Sequence, residues 1–132
     1  MKILFICFGN IARSQMAQGY YNYYTNSTDA QSAGASMNAG ERYKHPTDDV
    51  IKVMREDGID VSKNPVRVVT KKMVDDAQKI VVFCSLDDCP KYVRDSEKTV
   101  HIKVTDPYWI SEEYTRISRD EVKKAVLDLL ER

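Results

Sequence analysis

Short apolar runs alternate with amphipathic stretches along the 132-residue chain. The strand-like runs cover residues 2–6, about 30–33, 79–84 and 99–104, and helical patterns separate them. Such alternation is typical of a parallel sheet with helices packed on both faces. We therefore predict an α/β fold in which residues 1–132 form a single domain with a four-stranded parallel sheet.

Helical periodicity and capping signals set the expected helices. They are predicted to start near Arg13, after Pro46, after Thr70 and at Ser118. Gly58 is expected to end the second helix, and Ser118 with Glu121 is expected to form a capping box for the last one. The predicted inward positions are Met16, Ala17, Tyr20 and Tyr24, then Val50, Ile51 and Met54, then Val122, Ala125, Val126, Leu129 and Leu130.

Charge and cysteine content narrow the function classes. Twenty basic and twenty acidic residues cancel, which gives no support for a nucleic-acid-binding surface. No apolar run has the length of a membrane span, and no secretory signal pattern opens the chain, so we expect a cytoplasmic monomer. Three cysteines are an odd number, which favours thiol chemistry over a disulfide framework.

A thiol and a guanidinium, Cys7 and Arg13, bracket a short loop between the first apolar run and the first helical pattern. A strand that leads through a tight loop into a helix N-terminus gathers backbone N–H groups and the positive helix end at one small volume. This field favours a thiolate at Cys7, and Arg13 offers a planar fork for two oxygens of a phosphate-like group. Gly9 is predicted to supply the positive φ of the loop.

The loop therefore predicts an oxyanion cradle with Cys7 as its nucleophile. Its expected oxyanion-binding residues are Phe8, Gly9, Asn10, Ile11, Ala12, Arg13 and Ser14. The alternative, a buried cysteine at a strand end, leaves Arg13 and Ser14 unexplained. Cys7, Cys84 and Asp106 each follow a strand-like run, and ligands of doubly wound sheets bind beyond the carboxyl ends of the strands. We expect these three side chains at one edge of the sheet.

Four segments carry a resemblance to a known family. They are CFGNIARSQMA at residues 7–17, SAG at 32–34, GIDVS at 58–62 and Asp106 with Pro107. In these motifs and in their order the chain resembles the low-molecular-weight protein tyrosine phosphatase superfamily, which includes the thioredoxin-coupled arsenate reductases. The resemblance runs over essentially the whole chain and implies the fold of that family.

The resemblance implies roles for the residues around Pro107, whose ring restricts the backbone before it. Asp106 matches the general acid that protonates a leaving oxygen. An ordinary Asp-Pro turn is the alternative. Tyr108 and Trp109 match the aromatic residues that line the substrate mouth in tyrosine phosphatases of the family. The alternative for that pair is a hydrophobic patch that closes the loop.

Cys84 ends an apolar run, and Cys89 follows five positions later, directly before Pro90. Taken alone, Cys84 is interpreted as a small core residue. The resemblance implies instead that Cys84 and Cys89 are the second and third members of the arsenate reductase redox triad, with Cys7 as the first. The interval between them is shorter than in typical thioredoxin-coupled members.

Three further positions distinguish the chain within the resemblance. Ala12 stands where many relatives have a second cysteine, so a disulfide inside the loop is excluded. Gln18 replaces a glutamate that contributes to a potassium site in the reductase branch, which leaves potassium dependence open. Gln15 favours the reductase branch, because phosphatase members usually carry proline there.

Three functions remain open from the sequence. The first is an arsenate reductase with no bound cofactor, which uses thioredoxin or a similar thiol reductant as electron donor. The second is a tyrosine phosphatase that hydrolyses phosphotyrosine or aryl phosphates through a phosphocysteine. The third is a non-catalytic phosphate or phosphotyrosine binder. His45 and His101 have no partner at metal-ligand spacing, so we expect no metal site.

Overall fold

The structure is a computed structural model that describes residues 1–107 and 111–131. Its strands are β1 (Ile3–Cys7), β2 (Ala30–Gly34), β3 (Lys79–Val82) and β4 (Thr99–His101). They form one parallel sheet in the order β2-β1-β3-β4. The predicted α/β class and four-stranded parallel sheet are confirmed.

Five helices accompany the strands in the described part of the chain. They are α1 (Arg13–Thr25), α2 (Asp48–Glu56), α3 (Lys71–Asp76), α4 (Lys91–Arg94) and α5 (Glu112–Leu130). Thr70 caps α3, since its side chain accepts a hydrogen bond from the Met73 N–H. The helix α2 ends two residues before Gly58, which has a φ of +78°. The predicted starts near residues 13 and 71 and the predicted end near residue 58 are therefore confirmed.

Alternation along β1 places a core on each face of the sheet. Ile3, Phe5 and Cys7 pack with α1, α2 and α5, whereas Leu4 and Ile6 pack with the short helices α3 and α4. Such a two-sided burial is expected for a parallel strand in the middle of a sheet. No helix of the described ranges is long and apolar enough to cross a membrane.

The start of α5 corrects one prediction. The helix begins at Glu112, and the Ser111 side chain caps it by accepting a hydrogen bond from the Tyr114 N–H at 3.1 Å. Ser118 lies inside the helix, fully buried, so it does not form a capping box. Glu121 instead accepts hydrogen bonds from the N–H and the hydroxyl of Thr105 at 2.7 and 2.8 Å, which fixes the segment after β4 to α5.

Two further predictions about packing and length are wrong. Tyr24 is 42% exposed, because it lies at the outer side of α1, stacked against Tyr20 with ring centroids 6.2 Å apart. The strand β3 ends at Val82, and Cys84 follows two residues later at a bend of the chain rather than as the last residue of the strand. A 3-10 turn (Leu86–Asp88) and the short α4 come next.

Candidate active site

The loop between β1 and α1 presents unpaired backbone donors. Cys7 ends β1 and Arg13 begins α1. The N–H groups from Phe8 to Arg13 donate to no protein acceptor within residues 1–107 and 111–131, while the carbonyls of Cys7 and Phe8 accept bonds from residues 35 and 36. Together with the positive end of a 13-residue helix, these donors form a binding site for an anion.

Asn10, not Gly9, has the left-handed backbone of this loop. Its φ is +58°, a conformation that asparagine tolerates better than most residues. The buried Asn10 side chain donates to the Ser14 hydroxyl at 2.8 Å and accepts from the Arg67 N–H at 3.0 Å. Gln15 donates to the Asn10 carbonyl oxygen at 3.1 Å and to the Pro65 carbonyl oxygen at 3.0 Å. The loop conformation is therefore held by the segment around residues 64–67.

Gly34 lets the end of β2 approach the loop closely. A Cβ atom at this position would lie 2.9 Å from the Phe8 carbonyl oxygen and 2.8 Å from the Ala39 Cβ. Both contacts are shorter than packed atoms tolerate. The glycine of the SAG segment is thus required for the packing of the loop against β2.

Cys7 lies at the base of the cradle. Its Sγ forms a hydrogen bond with the Ser14 Oγ at 3.0 Å, and both residues are buried. The Ser14 Oγ also accepts from the Asn10 side chain, so the sulfur belongs to a buried hydrogen-bonded chain with Ser14 and Asn10.

Arg13 connects the loop with the ends of β3 and β4. One guanidinium nitrogen donates to the Phe83 carbonyl oxygen at 3.0 Å, and the other lies 3.4 Å from the Asp106 carboxylate. The arginine side chain is only 8% exposed, whereas that of Asp106 is 56% exposed. The guanidinium is therefore fixed in place, and the carboxylate beside it faces the solvent side of the site.

Cys7, Arg13 and Asp106 line one cavity of about 200 Å³. The segment after β2, including Arg42 and Tyr43, also lines this cavity, and the Arg42 guanidinium lies 5.3 Å from the centre of the Tyr43 ring. We did not predict these two residues from the sequence. They lie in the connection that follows a strand at the binding edge of the sheet, and this position alone could have drawn attention to them.

Cys84 and Cys89 lie beside each other, buried in the core formed with α3 and α4. The Cys89 thiol donates to the Ser85 carbonyl oxygen at 3.8 Å. The interaction between the two cysteines raises the pKa of Cys84 and lowers that of Cys89, and burial raises the pKa of Cys84 further. Cys7 belongs to the core on the other face of the sheet. The structure thus brings Cys84 together with Cys89, and it brings Cys7 together with Arg13 and Asp106.

Arg13 lies between these two groups. It also lines a second cavity of about 430 Å³, which reaches Cys84 and is bordered by His101 and Lys103. Tyr108 and Trp109, the predicted mouth residues, lie outside the described residues. Within the described ranges, no three side chains of the His, Cys, Asp or Glu type converge as a metal site would require.

A thiol held in a strand-loop-helix cradle with an arginine defines an oxyanion-binding, cysteine-based site. Comparison with known proteins identifies the family. The family model "Low molecular weight phosphotyrosine protein phosphatase" matches residues 2–132, so the chain belongs to the low-molecular-weight phosphotyrosine protein phosphatase family.

Curated relatives include arsenate reductases. The chain is 32% identical over 129 residues to arsenate reductase 2 of Staphylococcus haemolyticus, covering 94% of this chain and 92% of that protein. It is 32% identical over 130 residues to an arsenate reductase of Staphylococcus aureus strain Newman, with the same coverage.

Solved structures support the fold assignment. Wzb of Vibrio vulnificus in complex with benzylphosphonate superposes with a TM-score of 0.87 at 21% identity, covering 98% of this chain and 97% of that one. An arsenate reductase in the phosphate binding state has a TM-score of 0.80 at 26% identity, covering 99% and 98%. The family model is named for a phosphatase and the curated relatives are named as arsenate reductases, so both activities occur in proteins of this family.

Proposed function

We propose that this protein is an arsenate reductase in which Cys7, Cys84 and Cys89 act in sequence. The observation that carries the proposal is that Cys84 and Cys89 lie in one buried cluster, next to the Arg13 that borders the oxyanion cradle. A phosphatase needs one thiol, whereas a thiol-based reductase needs a second, so that disulfide formation supplies two electrons to arsenic, and a third to regenerate the first. The identity to arsenate reductases over most of the chain supports the proposal.

The proposed reaction begins in the cradle. The loop N–H groups and Arg13 hold arsenate, the Cys7 thiolate attacks arsenic, and one protonated oxygen leaves as water. The Cys84 thiolate then attacks the Cys7 sulfur. The electron pair of the sulfur–arsenic bond passes to arsenic, which leaves as arsenite, and a Cys7–Cys84 disulfide remains.

The adjacent Cys89 completes the cycle. Cys89, which lies in the same buried cluster, can take the proton that Cys84 gives up before its attack and then pass it to the departing arsenite. Cys89 then attacks the Cys84 sulfur and releases the Cys7 thiolate. The resulting Cys84–Cys89 disulfide is reduced by thioredoxin or a similar dithiol, which restores two thiols. A cytoplasmic setting, where such reductants keep thiols reduced, fits this cycle.

Cys84 must turn for the second step. In the reduced protein Cys84 and Cys7 pack on different faces of the sheet, and Cys84 lies just after the end of β3. The chain there is irregular, with an extended Ser85 and a 3-10 turn behind it. A segment of this kind can rearrange without breaking a strand or a long helix.

A turnover assay with single-thiol variants tests the proposal. Cys84→Ser and Cys89→Ser should stop multiple-turnover arsenate reduction, yet leave hydrolysis of an aryl phosphate nearly unchanged, because only reduction needs the second and third thiols. Cys7→Ser serves as the control that should lose both reactions, since a hydroxyl does not replace a thiolate at neutral pH. Arsenate reduction that continues without Cys84 and Cys89 would contradict the proposal.

A protein tyrosine phosphatase is the second candidate. The position of the Asp106 carboxylate, 3.4 Å from Arg13 and on the wall of the Cys7 cavity, favours it. There Asp106 would protonate the leaving oxygen and then activate water to hydrolyse the phosphocysteine. Robust aryl phosphate turnover with no arsenate reduction would favour this function.

A further inference from the structure

The Cys84–Cys89 pair offers a second chemistry besides electron transfer. Cys84 and Cys89 lie in one buried cluster, and the Cys89 Sγ lies 3.8 Å from the carbonyl oxygen of Ser85, the residue after Cys84. Two neighbouring sulfurs are the ligand set that a soft, thiol-seeking centre prefers. From this geometry we infer that the reduced protein binds trivalent arsenic, as arsenite or as an organic arsenical, across the sulfurs of Cys84 and Cys89. The binding itself is independent of the proposed function, and only its effect on turnover rests on that function.

The connection between the two cysteines is already folded for chelation. Ser85 accepts a hydrogen bond from the Asp87 N–H at 3.3 Å with its side chain and from the Asp88 N–H at 3.0 Å with its carbonyl. The Cys89 N–H donates to the Leu86 carbonyl oxygen at 3.1 Å. The two sulfurs therefore need little ordering when they bind one centre, and pre-organisation of this kind increases affinity.

A cavity of about 430 Å³ that is lined by Cys84 gives a small ligand a route to that sulfur. Ligation requires thiolates and releases the bound protons. The pKa of Cys89 is lowered and that of Cys84 is raised by their interaction, so the second sulfur–arsenic bond must displace the Cys84 proton. Neither thiol is engaged in a disulfide.

The binding step is an exchange of ligands without oxidation or reduction. Two thiols of the protein replace two oxygen ligands of arsenite, so two sulfur–arsenic bonds form and two waters leave. With phenylarsine oxide, both thiols replace the single oxygen and one water leaves. Arsenic remains trivalent throughout.

Intact-mass analysis of the reduced full-length protein with one equivalent of phenylarsine oxide tests the inference. We expect one phenylarsenic group per chain and the loss of two alkylatable thiols, with Cys7 still alkylated. Cys84→Ser and Cys89→Ser should each weaken binding about 100-fold or more, since a single thiol loses the chelate advantage. Cys7→Ser is the matched control: it also removes one thiol and should keep full binding.

Three outcomes would contradict an arsenic-binding site at Cys84 and Cys89. They are wild-type affinity in Cys84→Ser or Cys89→Ser, loss of binding in Cys7→Ser, and three alkylatable thiols in the treated wild-type protein. Because both cysteines are buried, thermal melts of the variants check folding, and Cys84→Ala provides a second variant at that position.

A turnover measurement separates this inference from the proposed function. Arsenite should inhibit multiple-turnover arsenate reduction but not aryl phosphate hydrolysis, because hydrolysis uses only Cys7. Equal inhibition of both reactions would place the arsenic at Cys7 and contradict the inference. A protein that binds the arsenical through Cys84 and Cys89 yet reduces no arsenate would support this site while refuting the reductase.

Discussion

At the scale of single residues, the site depends on one buried arginine. The Arg13 guanidinium donates to the Phe83 carbonyl and lies beside Asp106, so its planar fork has two fixed neighbours in addition to any bound oxyanion. An ammonium group offers no planar fork to reproduce this arrangement. The loop amides and Arg13 together account for oxyanion binding, whichever reaction follows.

We expect Arg13→Lys to lower kcat/KM for both arsenate and an aryl phosphate by at least about 100-fold, the scale of a lost bidentate anion contact. Arg55→Lys is the matched control, because Arg55 is exposed and pairs with Asp60 at 3.9 Å. Steady-state kinetics measure the effect. Near wild-type activity in Arg13→Lys would remove the arginine from the proposed site.

A second prediction at the scale of single residues concerns Asp106. Asp106→Asn should slow the hydrolysis of aryl phosphates with poor leaving groups by about 100-fold or more, since the leaving oxygen then departs without a proton. Activated leaving groups should be affected less. A rate series across leaving groups measures this dependence, and an equal loss for every substrate would indicate a structural role for Asp106.

At the scale of elements, the oxyanion loop is braced by the 64–67 segment through Gln15. The fully buried Gln15 side chain donates to Asn10 and Pro65 and accepts from the Asn64 side chain at 3.1 Å. This bracing holds Asn10 in its left-handed conformation. The conformation of the loop consequently depends on two distant segments and not on the loop sequence alone.

Gln15→Leu should therefore lower both stability and activity. It leaves buried oxygen acceptors unpaired, which costs about 1–3 kcal/mol of the free energy of unfolding. The displaced loop should also bind phosphate more weakly. Urea unfolding and phosphate titration measure the two effects, with Gln78→Leu at an exposed position as the control. Unchanged phosphate affinity in Gln15→Leu would show that the loop does not need this brace.

The elements also show what the sequence could and could not predict. The four strands, the position of the Cys7 loop and the helix after Thr70 follow from local patterns, although β3 and β4 end earlier than predicted. The Ser118 capping box failed because Ser111 offers an equivalent cap seven residues earlier, and the local pattern does not decide between two such serines.

Features that depend on contacts between distant parts of the chain could not be predicted from the sequence. The left-handed residue is Asn10, whose side chain is held by Gln15 and by the Arg67 backbone. Arg42 and Tyr43 reach the Cys7 cavity through a connection with no regular structure. Neither contact produces periodicity or a short motif, so the sequence pattern has no signal for it.

At the scale of the whole molecule, an ion-pair network joins α2 to α5. Glu56 accepts from Arg116 at 2.7 Å and from Arg119 at 2.6 Å, and Arg119 also donates to the Val53 carbonyl oxygen at 3.0 Å. The hydrogen bonds from both arginines lower the pKa of Glu56 from 4.5 to about 2. The stability that this network contributes therefore depends on pH.

The sign of this linkage gives a prediction. Between pH 4.5 and about 2 the unfolded chain binds a proton at Glu56 that the folded protein does not bind. The contribution of Glu56 to the free energy of unfolding is therefore complete above this pH range and is lost as the pH falls through it. Glu56→Gln should make the fall in melting temperature across the window shallower. High salt should shrink the difference, because the carboxylate is close to solvent. An identical slope in both proteins would contradict the assignment.

The central claim is that all three cysteines take part in one reaction, and disulfide mapping tests it most directly. Reduced, desalted protein is treated with arsenate in the absence of an external reductant, its free thiols are alkylated, and its peptides are analysed by mass spectrometry. We predict one alkylated thiol, at Cys7, and a Cys84–Cys89 disulfide. Three alkylated thiols after arsenate treatment, together with robust aryl phosphate turnover, would contradict the reductase and leave the phosphatase.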